Sequence, residues 1–340
     1  MVQAITYDDV LMIPSYNPWV SRRVVDISMT DKTGKFSLKL PLMTANMDTI
    51  TENTMADFIG AKGGIGVLHR FMEIEENVRM FNACEYKPFV SIGCTEQDLR
   101  RVEALRDAGA DCYCVDVAHA HAKYVGKTQK KIRAMLGKGA CLMAGNVATY
   151  AGADYLASCS ADIVKVGIGG GSVCTTRIKT GFGVPNLTAI KECARADRSI
   201  VADGGIRTPG DIVKALAFGA DFVMIGSMLA GTAPTPGPVI VKEGEDGVKR
   251  KVKVYRGMAS SEVQEDYHGG MAEWKTAEGV ATEVPYRDDQ DAIIADIVGG
   301  LRSGLTYGGA ITIKELQRKL DYITITPASR IESLPHRTMM

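Results

Sequence analysis

Eight short apolar runs, each followed by a stretch with helical spacing, recur along this chain, and no other feature constrains its fold as much. They are Leu40–Asn46, Ile65–Leu68, Phe89–Cys94, Tyr113–Ala118, Cys141–Asn146, Ile163–Ile168, Ser199–Gly204 and Phe222–Ser227. Runs of this length with little polar alternation are how parallel strands read when crossover helices cover both faces. The segments between them predict helices at Asn53–Ala61, Glu73–Phe81, Glu96–Asp107, Ala122–Met135, Thr149–Ser158, Leu187–Ala196, Pro209–Ala217 and Gln290–Thr306. Thr95 precedes Glu96, and Thr208 precedes Pro209. Each supplies a hydroxyl at an N-cap, the second with proline at the first helical position. Eight such units close an α/β fold of the (β/α)₈ TIM-barrel type. A doubly wound open sheet competes, but it needs a reversal of strand order, and regular units within about 270 residues suit the barrel better.

Composition narrows the function. The 340 residues are 46% hydrophobic and 24% charged, with 40 basic residues balancing 40 acidic ones. No basic tract stands out, so neither nucleic acid nor an anionic membrane surface is the expected partner. No run reaches membrane-spanning length, and Met1 to Asp9 lacks the pattern of a signal peptide, so the expected location is cytoplasmic. The eight cysteines lie mostly in apolar segments without paired zinc spacing, and most read as reduced core residues. Cys112 and Cys114 share a strand face but have no companion ligands.

Barrel enzymes carry their sites at the C-terminal ends of the strands. Asn46, His69, Asp116, Asn146, Gly169–Cys174, Asp203 and Ser227 all fall at or just beyond such ends. One Asn or Asp there is ordinarily a turn residue, but so many together point to a site. The small residues Asp203-Gly204-Gly205 and Gly226-Ser227 follow strands seven and eight, where barrels commonly bind phosphate. Two tight βα turns would read the same way. The carboxylate of Asp203 suits a ribose diol better than the phosphate it would repel.

The segment Val166–Arg177 leaves a strand, runs through glycines and delivers Cys174 beside two hydroxyls and the cation of Arg177. Such surroundings can activate a thiol as a nucleophile, although a glycine run also makes a plain turn and a lone cysteine is often a core residue. After strand eight, roughly sixty residues intervene before the last helix, a length that is usually functional. Pro238–Val241 and Lys251–Tyr255 read as a hairpin turning at Glu245-Asp246-Gly247. Arg256 to Pro285 then reads as a mobile flap carrying His268 and Glu278. Either residue could be a solvated loop side chain or an acid or base brought to a ligand.

Together, Thr6–Pro14, Asn46–Thr49, Gly145–Thr149, Lys165–Arg177, Ala202–Asp211, Gly226–Thr232, Tyr255–Met258 and Gly299–Ser303 resemble the IMP dehydrogenase and GMP reductase superfamily over nearly the whole chain. The resemblance implies a single catalytic barrel over 1–340, with hairpin and flap at about 232–289, that binds a purine nucleotide. It makes Cys174 a nucleophile toward C2 of the base, forming a thioimidate. It puts Asp203, Gly204, Gly205, Gly226, Ser227 and Tyr255 at ribose and phosphate, and Gly257, Met258, Glu278 and Gly279 near the base. Asp116, Val117, Ala118, Asn146, Ser303, Gly304, Leu305 and Thr306 would serve the nicotinamide cofactor. Backbone of Gly169, Gly171 and Cys174 would hold a monovalent cation, K⁺. Gly170 stands where the family usually has proline, which predicts a looser loop. A homotetramer is implied as well.

Within the family the wording favours the reductase branch, NADPH-dependent conversion of GMP to IMP. Val67-Leu68-His69-Arg70 runs on to strand three with no inserted regulatory modules. The Arg-Tyr pair within the dehydrogenase flap segment Ser-Ser-Asp-Arg-Tyr is missing, and Gly257 to Gly279 reads like a reductase flap, with Thr176 and Glu278 as the proton-transfer pair. Four features pull away: Arg70 where lysine is expected, the run Asp116-Val117-Ala118-His119-Ala120-His121, and the dehydrogenase-like Gly205-Ile206-Arg207 and Ile331-Glu332-Ser333. The alternatives are a dehydrogenase without regulatory modules, taking IMP and NAD to XMP, and a silent nucleotide-binding regulator.

Overall fold

A computed structural model describes residues 3–335. Met1 and Val2, part of the segment read above for a leader, lie outside them, as does the side chain of His268. The expected strands form a closed parallel barrel: β1 (Leu42–Thr44), β2 (Ile65–Leu68), β3 (Phe89–Ile92), β4 (Cys112–Asp116), β5 (Cys141–Val147), β6 (Ile163–Val166), β7 (Ser199–Asp203) and β8 (Phe222–Ile225). Every strand pairs with its neighbours in sequence, and β8 closes onto β1 through Val223↔Leu42. Most predicted strands overrun the observed ladders by one to four residues. Leu40 shows why: its N–H bonds the Gly63 carbonyl outside the ladder, and its burial belongs to the barrel floor.

The helices are α1 (Asn53–Ala61), α2 (Ile74–Ala83), α3 (Glu96–Asp107), α4 (Lys123–Leu136), α5 (Tyr150–Ser158), α6 (Thr176–Thr180), α7 (Asn186–Cys193) and α8 (Pro209–Ala217). Thr95 and Thr208 cap α3 and α8 as expected, each in a reciprocal capping box with the aspartate three residues on. Thr149, predicted as helical, is instead the cap of α5 and accepts from the Gly152 N–H at 3.2 Å.

The floor of the barrel is sealed by an aromatic plug. Phe36, beside a short hairpin (Met29–Thr30 with Ser37–Leu38), sets its ring 5.1 Å from Phe89 and 5.4 Å from Phe222, the first residues of β3 and β8. Burial of such rings contributes heavily to a core, and these contacts put the N-terminal end of the barrel to stability.

The excursion after β8 is more ordered than the sequence predicted. Its hairpin is β9 (Ile240–Glu243) with β10 (Lys249–Arg256), and β11 (Ala281–Pro285) adds a third antiparallel strand. A helix, α9 (Ser261–His268), occupies what read as irregular flap; Ser260 caps it by accepting from the Val263 N–H at 3.3 Å. The chain then enters α10 (Gln290–Tyr307). No helix among the described residues is long and apolar enough to cross a membrane.

Candidate active site

At the C-terminal rim of the barrel lies a cavity of about 410 Å³, the place where strand ends and the flap converge. Cys174, Thr176 and Glu278 line it together. So do Asp203 at the end of β7 with Gly204 and Gly205 after it, Gly226 and Ser227 after β8, Tyr255 near the end of β10, and Gly257 and Met258 just beyond it. Asp116 at the end of β4, Val117 and Ala118 after it, Asn146 in β5, and the glycines Gly169 and Gly171 complete the wall on the other side. Gly279 is buried behind it, paired with Cys174 in an isolated antiparallel bridge. Ser303, Gly304, Leu305 and Thr306 are not brought here. They lie on α10, where Gly304 packs against Val213, Leu305 is buried, and Thr306 faces a separate groove with Ser15 and Trp19.

The loop that delivers Cys174 is shaped by what surrounds its glycines. Gly167 has φ +148° and passes so close to the Asp203 carbonyl that a Cβ would overlap it. A Cβ on Gly170 would overlap the Asn186 side-chain amide, which donates to the Gly204 carbonyl. Absence of a side chain at 170 therefore makes room for a cross-brace: Asn186 Oδ1 accepts from Arg177 Nη2 at 3.4 Å, which links the cysteine loop to the turn after β7. Arg177, expected as a cation beside the thiol, is a second brace: its Nε donates to Ile168 O at 3.2 Å and its Nη2 to Val184 O at 2.7 Å. The Cys174 thiol donates to Thr176 Oγ1 at 3.2 Å.

Lys165, which sequence reading passed over as part of a strand, organises the deep wall. Its side chain is 4% exposed, and its Nζ bonds Asp116 Oδ1 at 2.8 Å and Asp203 Oδ2 at 2.9 Å. Asn146 Nδ2 donates to the same Asp203 oxygen at 2.8 Å and to Gly167 O at 2.7 Å. Burial pushes the Asp116 carboxyl up, but the charge and hydrogen bond of Lys165, with Arg70 and Asn46 beside them, together hold the group below the ordinary carboxylate range. The available signal was a lysine in the otherwise apolar run Ile163-Val164-Lys165-Val166. Replacing Lys165 with methionine leaves two carboxylates facing each other without a cation. The expected cost is about 3 kcal/mol of stability, read as a lowered urea midpoint; an unchanged midpoint would mean that water relieves the pair.

The flap is stitched to the cysteine loop by backbone bonds. Thr175 N–H donates to Glu278 O at 2.8 Å and Val280 N–H to Val173 O at 3.0 Å, while within the flap Glu278 N–H donates to Ala259 O at 3.0 Å. Tyr255 donates or accepts with Ser172 Oγ at 3.0 Å, and burial pushes its phenol pKa up. Among the other side chains that line the cavity are Gln264 and Lys275 from the flap, and Arg70 after β2. The first two were missed because nothing in a charged loop marks which residues turn inward.

The arrangement can hold a phosphorylated nucleoside and present a thiol, a hydroxyl and a carboxylate to one face of it. Comparison with known proteins gives the family. The sequence pattern of the IMP dehydrogenase / GMP reductase domain matches residues 4–336. The chain is similar to GMP reductase 1 of Homo sapiens, 36% identical over 333 residues and covering 94% of both chains. It is similar to the crystal structure of inosine 5′-monophosphate dehydrogenase from Legionella pneumophila, 69% identical with a TM-score of 0.87, over 96% of this chain and 99% of that one. A cysteine-to-alanine GMP reductase from Trypanosoma brucei, in complex with guanosine 5′-monophosphate, is 27% identical with a TM-score of 0.90, over 99% and 98%. With a barrel of matching architecture and a family pattern along almost its full length, the chain belongs to the IMP dehydrogenase / GMP reductase family, oxidoreductases that act on purine nucleotides with a nicotinamide dinucleotide.

Proposed function

We propose that this enzyme is a GMP reductase, converting GMP and NADPH to IMP, ammonia and NADP⁺. One observation carries the reading: the flap contributes Glu278 to the cavity beside Thr176 and Cys174, while no arginine or tyrosine from 259–279 lines it among the described residues. Hydrolysis of a covalent intermediate, which a dehydrogenase needs, would require such a pair to activate water.

In this reading the Cys174 thiolate adds to C2 of guanine, and the 2-amino group departs as ammonia after protonation through Thr176 and Glu278, since an amide anion is a very poor leaving group. The dinucleotide, when bound, supplies the hydride that C2 accepts before the C2–sulfur bond breaks and IMP is freed. Asp203, held from behind by Lys165 and Asn146, faces the ribose, while the N–H groups of Gly204, Gly205, Gly226 and Ser227 suit phosphate. Asn146 Oδ1 is buried without a partner in the protein, which fits an acceptor reserved for a ligand N–H on the side of Asp116, Val117 and Ala118. Ser303–Thr306 join the cofactor site only if a second copy presents them, in keeping with the implied homotetramer. The carbonyls of Gly169, Gly171 and Cys174 are hard oxygen donors of the kind K⁺ takes.

A dehydrogenase lacking regulatory modules is the second reading, favoured by the 69% identity to the Legionella inosine 5′-monophosphate dehydrogenase. Absorbance of reduced nicotinamide separates the two. GMP with NADPH is expected to give oxidation with one ammonia per turnover, and IMP with NAD⁺ no accumulating XMP. Rapid XMP formation would reverse the assignment.

A further inference from the structure

Arg256 joins three parts of the rim. Its Nε and Nη2 donate to Asp48 Oδ2 at 3.0 and 2.5 Å, and its Nη1 donates to Asp266 Oδ2 at 2.6 Å. Asp48 belongs to the loop after β1, and Asp266 to the flap helix α9. Arg256 itself ends β10, directly before the cavity residues Gly257 and Met258. Its N–H donates to Thr49 Oγ1 at 3.3 Å, and the Asp48 N–H meets Met258 Sδ at 3.3 Å. The next helix residue, Tyr267, packs its ring at a tilt against Phe71 with centroids 5.8 Å apart, and Arg70 lies 4.9 Å from the same ring. Both Arg70 and Phe71 line the cavity.

We propose that Asp266 and Arg256 form a releasable latch that holds the flap helix down on the nucleotide site, and that both are positioning residues. The two halves differ in permanence. Asp48 is 4% exposed and its Oδ1 has no partner, so losing Arg256 would strand a buried carboxylate, and this half stays closed. The Asp266 side chain is 53% exposed, so its bond to Arg256 is solvated and modest in strength, able to open and re-form as substrates pass. Closed, it draws α9 toward the rim while Tyr267 covers Phe71.

The benefit of closure rests on the reductase reading. After ammonia has left, water added at C2 would break the C2–sulfur bond and release XMP with the Cys174 thiol restored, and no NADPH would be oxidised. A flap that opens too readily therefore leaks XMP.

The test uses the full chain with Asp266→Asn, Asp266→Glu and Glu265→Gln. Trypsin cleavage after the exposed Lys275 reports flap opening without reference to activity, because the protease needs several residues of chain unfolded. Asp266→Asn is expected to be cut about fivefold faster than wild type, the size of a solvated ion pair. It should raise the XMP share of product from GMP and NADPH by a similar factor while kcat for NADPH oxidation stays within about threefold. Asp266→Glu should restore both. Glu265→Gln, which removes the same charge from the same helix, should leave both unchanged. Cleavage of Asp266→Asn at the wild-type rate, or an equal effect from Glu265→Gln, would overturn the latch. If wild type does not oxidise NADPH with GMP, the reductase reading falls, and the cleavage rates still decide the latch.

Discussion

Cys174→Ala is expected to abolish GMP reduction, with at least about four orders of magnitude lost in turnover, while GMP affinity stays within about tenfold of wild type. On the proposed reading the two roles fall to different groups. Asp203 is fixed by Lys165 at 2.9 Å and Asn146 at 2.8 Å, and the loop is braced by Arg177 and Asn186, so removing one sulfur leaves the binding wall standing. Calorimetric titration with GMP and single-turnover NADPH oxidation measure the two quantities. Normal turnover in this variant would remove the covalent intermediate from the mechanism.

Glu278→Gln asks a finer question, because the two half-reactions place different demands on that side chain. On the proposed reading, loss of ammonia needs a proton delivered through Thr176, whereas hydride exchange at C2 needs the adduct and a well-placed ring. Glutamine keeps the backbone bonds that seat residue 278 on Thr175 and Ala259 but cannot move a proton in the same way. GMP reduction is expected to fall by about two orders of magnitude or more. Adduct formation from IMP and NADP⁺ on Cys174 is expected to persist in a single turnover, seen by rapid-mixing absorbance and by mass. Equal loss of both would assign Glu278 to flap positioning and end its role as proton carrier.

Much of the fold was legible because parallel strands buried on both faces leave unmistakable apolar runs, and because threonine caps such as Thr95 and Thr208 mark where helices begin. Strand ends were not, since burial at the rim and floor continues past the ladder: Leu40 and Asn46 are both buried outside β1. The flap helix α9 was hidden because Val263 is its fully buried apolar residue in an otherwise polar octet, too little to show a period. β11 escaped for the same reason, its Ala-Thr-Glu-Val-Pro being mostly solvent-facing. In the site, residues at strand ends could be read directly. What Arg177 does could not, because a short loop decides whether a neighbour in sequence turns toward the thiol or toward the Ile168 and Val184 carbonyls. The surroundings of Gly170 were hidden in the same way, because Asn186 lies sixteen positions away in number and in contact in space.

The aromatic plug of Phe36 between Phe89 and Phe222 has a kinetic side. A barrel packed with side chains from floor to rim offers ligands no way through, so they come and go at the rim. On the proposed reading, the guest seated deepest, the nucleotide held by Asp203 and the β7 and β8 turns, enters ahead of the dinucleotide and leaves after it. Traffic through a single mouth, with the flap as its gatekeeper, then sets the order of events before any bond is made or broken.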